Sequence, residues 1–373
     1  MRTDSYYMQK ALSLAARGGL AVRPNPRVGA VLVKDGKIIA SAYHSRYGAA
    51  HAEAKVLKKA GAAARGSTLY VNLEPCSSYG KTPPCTDAII HSGVGRVVIG
   101  CGDRHPLNRN RAEKILSRAG IAVTTGILKE EAFALNHDFF VWAEESRPYT
   151  TLKLAISLDG KIADSRGRSK WISSKISRRY VHFLRSRSDA ILVGVKTVIA
   201  DDPLLTVRMG YSHTGLKRVV LDSGCGIPVT SRLIRGRNAK NTILATTKAA
   251  PPEKLKKVIG TGATVLKVPS RKGRVSLKLL FRKLAGEGIM RLLAEGGGET
   301  AASLLEEGLV DELHLFIAPI IIGGRDAVPA VGGEGVKSIK EAYNLRDMIV
   351  GRLGDDIHIK GTLKRKDVEK KGR

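Results

Sequence analysis

The sequence predicts an α/β protein of two domains. Three observations point there. The chain has 373 residues, more than one hydrophobic core usually organises. Short apolar runs of strand length alternate with amphipathic stretches of helix length along most of it, the pattern of helices covering sheets. A polar stretch with a proline, Glu144-Glu145-Ser146-Arg147-Pro148, interrupts that alternation and suits a linker. Domains are therefore expected over 1–146 and 147–365, followed by a basic tail, 366–373, that is expected to be mobile.

Composition narrows the class. No apolar run reaches the roughly 18 residues a membrane helix needs. The N-terminus passes from Met1-Arg2-Thr3-Asp4-Ser5 straight into an amphipathic pattern, with no signal-peptide apolar region. Four cysteines, unevenly spaced, do not make a disulfide framework. A reducing cytoplasm is expected, where thiols bind metal. The net charge is +29, of which residues 1–147 contribute +9 and the remainder +20. Such a balance suits an anionic partner, either nucleic acid or a phosphorylated small molecule. The charges are scattered singly except in the tail, so much of the excess reads as solvated surface.

In the first domain, residues 5–17 read as a helix with Met8, Ala11, Leu12 and Ala15 on one face and Ser5 as its cap. Pro24-Asn25-Pro26 makes a rigid turn. Val28–Val33 and Lys37–Ala42 flank Lys34-Asp35-Gly36, a strong hairpin signal. A helix is expected over 51–60, a strand over 68–73, a helix over 84–92 and a strand over 96–101. Residues 111–119 read as helix, 121–125 as strand and 129–143 as one helix.

The chemistry gathers in this domain. His51-Ala52-Glu53 opens a helix, Cys76 follows the end of a strand in Glu74-Pro75-Cys76, and Cys85 opens the next helix after Pro83-Pro84. One imidazole and two thiols are a three-ligand zinc set, which leaves the fourth tetrahedral position open as catalytic zinc sites do. Helix N-termini favour the thiolates that zinc needs. Glu53, two residues from His51, can reach the open position without being a ligand. A zinc-activated water beside a carboxylate that carries protons is the apparatus of hydrolytic deamination. Taken singly, a histidine at a helix start or a free cysteine is weak evidence; the combination is not. Cys101 and Cys225 lack such a context and read as structural. His91, His105, His137 and His182 read as surface or packing residues.

These residues resemble the deaminase domain of the bifunctional deaminase/reductase family of riboflavin biosynthesis. The general zinc-deaminase pattern has Cys-x-x-Cys. Here eight residues separate Cys76 from Cys85, and that wider loop, Ser-Ser-Tyr-Gly-Lys-Thr-Pro-Pro, is similar to the riboflavin enzymes in particular. Pro24-Asn25-Pro26-x-Val28-Gly29 and Tyr43-His44 match as well, and Asn25 and His44 are implied to face the substrate. The chain departs from the family at Ser78, where a histidine is usual, and over Asp103–Asn110, where a Gly-rich turn is usual.

The second domain begins with a strand over 149–156. A helix is expected from about Ser174 to Arg187 and a buried strand over 190–194, followed by a polar, turn-rich connection to Arg208. Strands are expected at 218–222, 242–246, 264–268 and 289–294, with a helix over 276–286. Glu295 ends the last of these strands, and Gly296-Gly297-Gly298 opens a helix to about Glu307. A glycine run between strand and helix can hold a phosphate on its N–H groups, though a tight turn explains it equally well.

This half is similar to the family's dihydrofolate-reductase-like domain, through Lys153-Leu154-Ala155-x-Ser157-Leu158-Asp159-Gly160, Ser169-x-Trp171, Thr197–Arg208 and Glu295–Gly298. The resemblance implies a cytidine-deaminase-like three-layer domain followed by an α/β reductase domain that uses NADPH. It implies that Ala155, Trp171, Thr197, Asp201 and Ser223 line the nicotinamide cofactor. Gly297, Gly298, Glu299, Thr300, Ala301, Ala302 and Ser303 would lie on the cofactor's phosphate side. Lys153, Ser169, Arg185, Leu205, Arg208 and Glu295 would face the substrate, with Arg185 and Arg208 suited to phosphate. The implied reactions are deamination of 2,5-diamino-6-ribosylamino-4(3H)-pyrimidinone 5′-phosphate and reduction of its ribosyl group to ribityl. Zinc and NADPH are the expected cofactors, the phosphorylated pyrimidine the expected partner, and a dimer or tetramer the expected assembly; neither nucleic acid nor membrane is. Rival readings are a nucleic-acid base deaminase, which should show Cys-x-x-Cys and no dinucleotide domain, and a zinc-stabilised binding module, which needs a fourth ligand. The same enzyme with an impaired deaminase half is a third.

Overall fold

The computed structural model describes residues 3–79 and 83–364. It divides into two compact units, Met1–Ser146 and Arg147–Arg373. The basic tail expected over 366–373 lies outside the described residues.

The first unit is built on five strands: β1 (Gly29–Lys34), β2 (Lys37–Tyr43), β3 (Thr68–Leu73), β4 (Arg96–Cys101) and β5 (Ala122–Thr125). Their order is β2-β1-β3-β4-β5, antiparallel as far as β3 and parallel beyond it. Asp35 and Gly36 both take positive φ, 50° and 70°, as the two-residue turn between β1 and β2 requires. Helices α1 (Asp4–Ala16), α2 (Ala52–Ala60), α3 (Cys85–His91), α4 (Ala112–Arg118), α5 (Lys129–Leu135) and α6 (His137–Glu145) complete the unit. Helix α1 lies so close to β1 that a Cβ on Gly29 would meet the Ala11 carbonyl at 2.1 Å. Helix α5 approaches β4 similarly, since a Cβ on Gly100 would meet the Ala132 Cβ at 2.9 Å. Helices α2 and α3 pack against each other, and α2 covers β1 and β2.

Two expectations fail in this unit. Ser5 does not cap α1; Thr3 holds the cap position and makes no side-chain cap bond. The single helix over 129–143 is two helices. Asn136 breaks it because its buried carboxamide accepts the Arg27 N–H at 2.8 Å and donates to the Arg27 carbonyl at 3.0 Å. The Arg27 guanidinium in turn pairs with Asp138 on α6.

The second unit carries a nine-stranded sheet. Its strands are β6 (Tyr149–Ile156), β8 (Ala190–Gly194), β9 (Lys217–Leu221), β10 (Thr242–Thr246), β11 (Thr264–Lys267), β14 (Arg291–Glu295), β15 (Glu312–Ile317), β17 (Leu345–Leu353) and β18 (Asp356–Leu363). The order is β11-β10-β9-β8-β14-β6-β15-β18-β17, parallel up to β15 and antiparallel at the end. Short ribbons pair β7 (Lys161–Ala163) with β16 (Val328–Pro329) and β12 (Ser270–Arg271) with β13 (Arg274–Val275). The helices are α7 (Lys175–Ser186), α8 (Val195–Asp201), α9 (Pro252–Gly260), α10 (Leu277–Gly286) and α11 (Gly298–Glu306). Successive residues of β8 serve two cores: Ala190 and Leu192 join one, Ile191 and Val193 the other. That alternation is what a sheet covered on both faces demands. The connection expected after Gly194 begins with α8, a helix of 7 residues, before its turn-forming residues. Among the described residues no helix is long and apolar enough to cross a membrane.

Candidate active sites

In the first unit, His51 caps α2, Cys76 lies three residues beyond β3, and Cys85 begins α3. One ligand atom from each falls within 4.8 Å of the others. His51 Nδ1 is 3.3 Å from Cys85 Sγ and 3.5 Å from Cys76 Sγ. A tetrahedral zinc with Zn–S of about 2.3 Å and Zn–N of about 2.0–2.1 Å spaces a nitrogen and a sulfur roughly 3.6 Å apart. The donor set therefore fits zinc in chemistry and spacing.

The electrostatics agree with a site built for a cation. Hydrogen bonds from the Cys85 thiol and from His51 prevail over burial and pull the Cys76 thiol well down, toward the thiolate. Cys85, facing that thiolate and buried, is pushed well up and keeps the shared proton. The Cys76 hydrogen bond, against burial and with help from Glu53, raises His51. Two negative ligands that hold a proton between them are stabilised when a dication replaces it.

Glu53 is 3% exposed, and its Oε2 is buried with no hydrogen-bond partner among the described residues. Burial first, and the Cys76 thiolate second, push its carboxyl up to about 7. Such a group carries a proton either way near neutrality, as a general acid–base requires. His44, buried, stands edge-on to His51 with ring centroids 5.4 Å apart. Its Nε2 is 3.2 Å from Asn25 Nδ2, so the two residues from separate turns form one pair beside the ligands.

Glu74, in the same motif as Cys76, has a different environment. Its carboxylate accepts the N–H groups of Asp103 at 2.9 Å, Asn110 at 3.2 Å and Ala112 at 3.0 Å. The 103–112 loop is thereby strapped to the end of β3. Asn108 extends the strap. It donates to Asp103 at 3.0 Å, and its Oδ1 accepts the Ser78 hydroxyl at 2.9 Å.

In the second unit, a cleft of about 1930 Å³ opens at the C-terminal ends of β6, β8, β9 and β14. Drug-sized ligands fill roughly 300–1,000 Å³, so this one has room for a dinucleotide and a second ligand together. Ala155, Trp171, Thr197, Asp201 and Ser223 line it. So do Lys153, Ser169, Leu205 and Arg208. Ser169 Oγ lies 3.3 Å from Asp201 Oδ1, which joins the loop before α7 to the end of α8. Gly296 and Gly297 have φ of 73° and 81°, and Thr197 Oγ1 lies 3.4 Å from where a Cβ on Gly297 would sit. That backbone is open to a close ligand because no side chain stands on it. Gly298, Glu299, Thr300 and Ser303 also face the cleft. The cradle and the space fit a dinucleotide.

Four of the expected residues are buried away from the open cleft or already paired. Ala301 and Ala302 do not line the cleft; both are buried on the inner side of α11, Ala301 within the main core. Arg185 is not a free phosphate receptor, and Glu295 is not a free acceptor. The two form a bidentate pair at 2.6 and 2.8 Å, and Arg185 also donates to the Thr206 carbonyl at 3.1 Å. Burial opposes the charge on Glu295, but the guanidinium prevails and holds the carboxyl below its usual range. Lys153 sits beside this pair, and burial draws its ammonium downward while Glu295 resists. Arg208 lines the cleft, and among the described residues its guanidinium makes no ion pair.

His182, read from the sequence as a surface or packing residue, stands at the cleft. Its Nδ1 accepts the Arg208 N–H at 3.1 Å. Burial, then the charges of Arg185 and Arg208, push it down to about 4, so the ring is neutral and can accept. Nothing in its sequence neighbourhood signals this, because Arg208 is 26 residues away.

Comparison with known proteins agrees with both halves. The family model described as the cytidine and deoxycytidylate deaminase zinc-binding region matches residues 1–101. The one described as the RibD C-terminal domain matches residues 148–359. The chain is similar to the riboflavin biosynthesis protein RibD of Aquifex aeolicus, 44% identical over 356 residues, which is 95% of this chain and 97% of that protein. Against RibD of Escherichia coli K12 it is 39% identical over 366 residues, covering 95% and 98%. Among solved structures, Acinetobacter baumannii RibD superposes with a TM-score of 0.84 at 34% identity, covering 97% of this chain and 99% of that one. The Thermotoga maritima diaminohydroxyphosphoribosylaminopyrimidine deaminase/5-amino-6-(5-phosphoribosylamino)uracil reductase gives 0.80 at 34% identity.

Proposed function

The chain belongs to the RibD family of bifunctional riboflavin-biosynthesis enzymes, and from that premise we propose how its own residues divide the two reactions. It is a zinc-dependent deaminase joined to an NADPH-dependent reductase. When bound, zinc supplies the Lewis acidity that makes a water nucleophilic, and NADPH supplies the hydride.

His51, Cys76 and Cys85 hold the metal. Glu53 takes a proton from the attacking water and returns it to the leaving amine nitrogen. The Asn25–His44 pair orients the pyrimidine ring. In the reductase cleft, Trp171, Thr197, Asp201 and Ala155 bound the nicotinamide, and the open backbone of Gly296–Gly298 receives the diphosphate at the start of α11. Arg208, held by His182, takes the substrate phosphate. Lys153 and the Arg185–Glu295 pair face the ribose. The substrate of the first reaction is the diaminopyrimidinone ribosylamino 5′-phosphate, and the second acts on its deaminated product. The protein works on a phosphorylated metabolite, which gives the basic surface a use without nucleic acid.

One observation carries the deaminase assignment: among the described residues Glu53 Oε2 is buried and unpartnered, beside three atoms that could ligate a metal. A purely structural carboxylate at that depth would be paired. The test is ammonia release from the phosphorylated diaminopyrimidinone, followed by NADPH oxidation in the same tube. Turnover by Glu53→Gln at the parent rate would remove Glu53 from the reaction.

A further inference from the structure

One wall of the reductase cleft carries a second cationic feature to which the residue roles above give no part. The ribbon β12–β13 stands on one wall of the cleft and presents Arg271, Lys272 and Arg274, with Lys278 at the start of α10 beside it. All four side chains are exposed. Arg271 and Arg274 are directly opposed in the ladder, which places two like charges on one face. Opposed like charges are destabilising unless an anion sits between or beside them. Compensation is partial. Arg274 reaches Glu299 at 3.0 Å, while Arg271 is 3.9 Å from Glu307. Among the described residues, Lys272 and Lys278 form no ion pair.

The ribbon is fixed to the cleft floor at one point. The Val275 N–H donates to Ser223 Oγ at 3.1 Å. Ser223 stands just past the end of β9, and its Oγ is thus an acceptor on one side with its own proton left to donate on the other. A hydroxyl donor beneath several cations is a receptor for a phosphate dianion. This receptor is separate from the glycine cradle. Strands β14, β8 and β9 are neighbours, so the cradle at the end of β14 and Ser223 at the end of β9 are two strand spacings, roughly 10 Å, apart. One phosphate cannot serve both places. The cleft is therefore shaped for a ligand with a diphosphate and, some way along, a further monophosphate.

We propose that the β12–β13 ribbon, pinned to Ser223, reads the 2′-phosphate of the dinucleotide through Arg271 and Lys272, with Lys278 in support, and so selects NADPH over NADH. This rests on the reductase reading above, and it names the residues that make the cofactor choice. The glycine cradle binds what the two dinucleotides share, and the ribbon binds what only one of them has.

The test uses the full-length, zinc-loaded protein and calorimetric titration with NADPH and with NADH. Arg271→Gln/Lys272→Gln is expected to lower the ratio of the NADH to the NADPH dissociation constant at least about tenfold, since two charged phosphate contacts are lost. 2′,5′-ADP should weaken in parallel and 5′-ADP should not. Any smaller fall in the ratio overturns the proposal, including equal weakening of both dinucleotides, which would assign the ribbon a structural or diphosphate role. If the double variant does not fold, Lys278→Gln, off the ribbon, is read by the same ratio. A parent protein that binds neither dinucleotide would overturn the reductase reading and this proposal with it; a parent that binds them beside a variant whose ratio holds overturns the proposal alone.

Discussion

Glu53→Gln separates a catalytic carboxylate from a structural one. The substitution keeps the size of the side chain and removes its charge. Among the described residues Glu53 Oε2 has no hydrogen-bond partner, and burial, with the Cys76 thiolate beside it, already pushes the carboxyl up to about 7. Leaving a buried polar group unsatisfied costs about 1–3 kcal/mol, more when it is charged. Neutralising it in the metal-free protein should leave the melting temperature unchanged or raise it. Activity should move the other way. Loss of a positioned general acid–base slows a reaction by about 10²–10⁴-fold, so ammonia release should fall within that range or below detection. Zinc content should stay near one per chain, because none of the three ligand atoms changes. The assay is therefore threefold: metal analysis, thermal melting after chelation, and ammonia release. A variant that melts lower and loses zinc in proportion to its activity would refute the reasoning, for Glu53 would then be holding the fold rather than moving protons.

Other outcomes are expected with the same protein. Cys85→Ser should lose zinc and ammonia release, while the reductase still oxidises NADPH on substrate already deaminated; loss of both activities in a folded variant would break the two-site division. Glu295→Gln should leave the Arg185 guanidinium unpaired at the cleft floor and destabilise the protein by about 3–5 kcal/mol, read by denaturant unfolding. Asn136→Ala removes both bonds to the Arg27 backbone and should cost about 1–3 kcal/mol, with little change in zinc affinity.

What could be read from the sequence was what the chain encodes locally. The β1–β2 hairpin was legible because Asp35-Gly36 is the turn, and both residues take the positive φ that dipeptide favours. The zinc set was legible because ligand type, helix starts and strand ends coincide within 35 residues. What escaped depends on partners far along the chain. Asn136 breaks a helix on account of Arg27, 109 positions away. Arg185 and Glu295, 110 positions apart, neutralise each other, and no local pattern warns that two site residues will meet. Strands β15, β17 and β18 add to the far side of the sheet beyond the last element the sequence reading reached. Helix α8 hid in a stretch whose turn-forming residues gather at its end, where Asp201 is its last residue and Asp202-Pro203 follow it.

Three buried glutamates show how environment, not residue type, assigns a role. Glu74 is 6% exposed and accepts three backbone N–H groups, so its charge is consumed in holding the 103–112 loop. Glu295 is 8% exposed and is matched by one guanidinium in a bidentate pair. Glu53 is the most buried of the three, at 3%, and among the described residues nothing matches one of its oxygens. A carboxylate fully satisfied by the fold has no capacity left to exchange a proton, since donors aimed at it favour the charged form throughout. The unsatisfied one is drawn up to about 7, whereas the guanidinium beside Glu295 holds that carboxyl below its usual range. Folding alone does not explain keeping such a group beside two thiols and an imidazole, because a neutral side chain of the same size would serve packing better. The strain it imposes is accounted for by a reaction that must move a proton at that point.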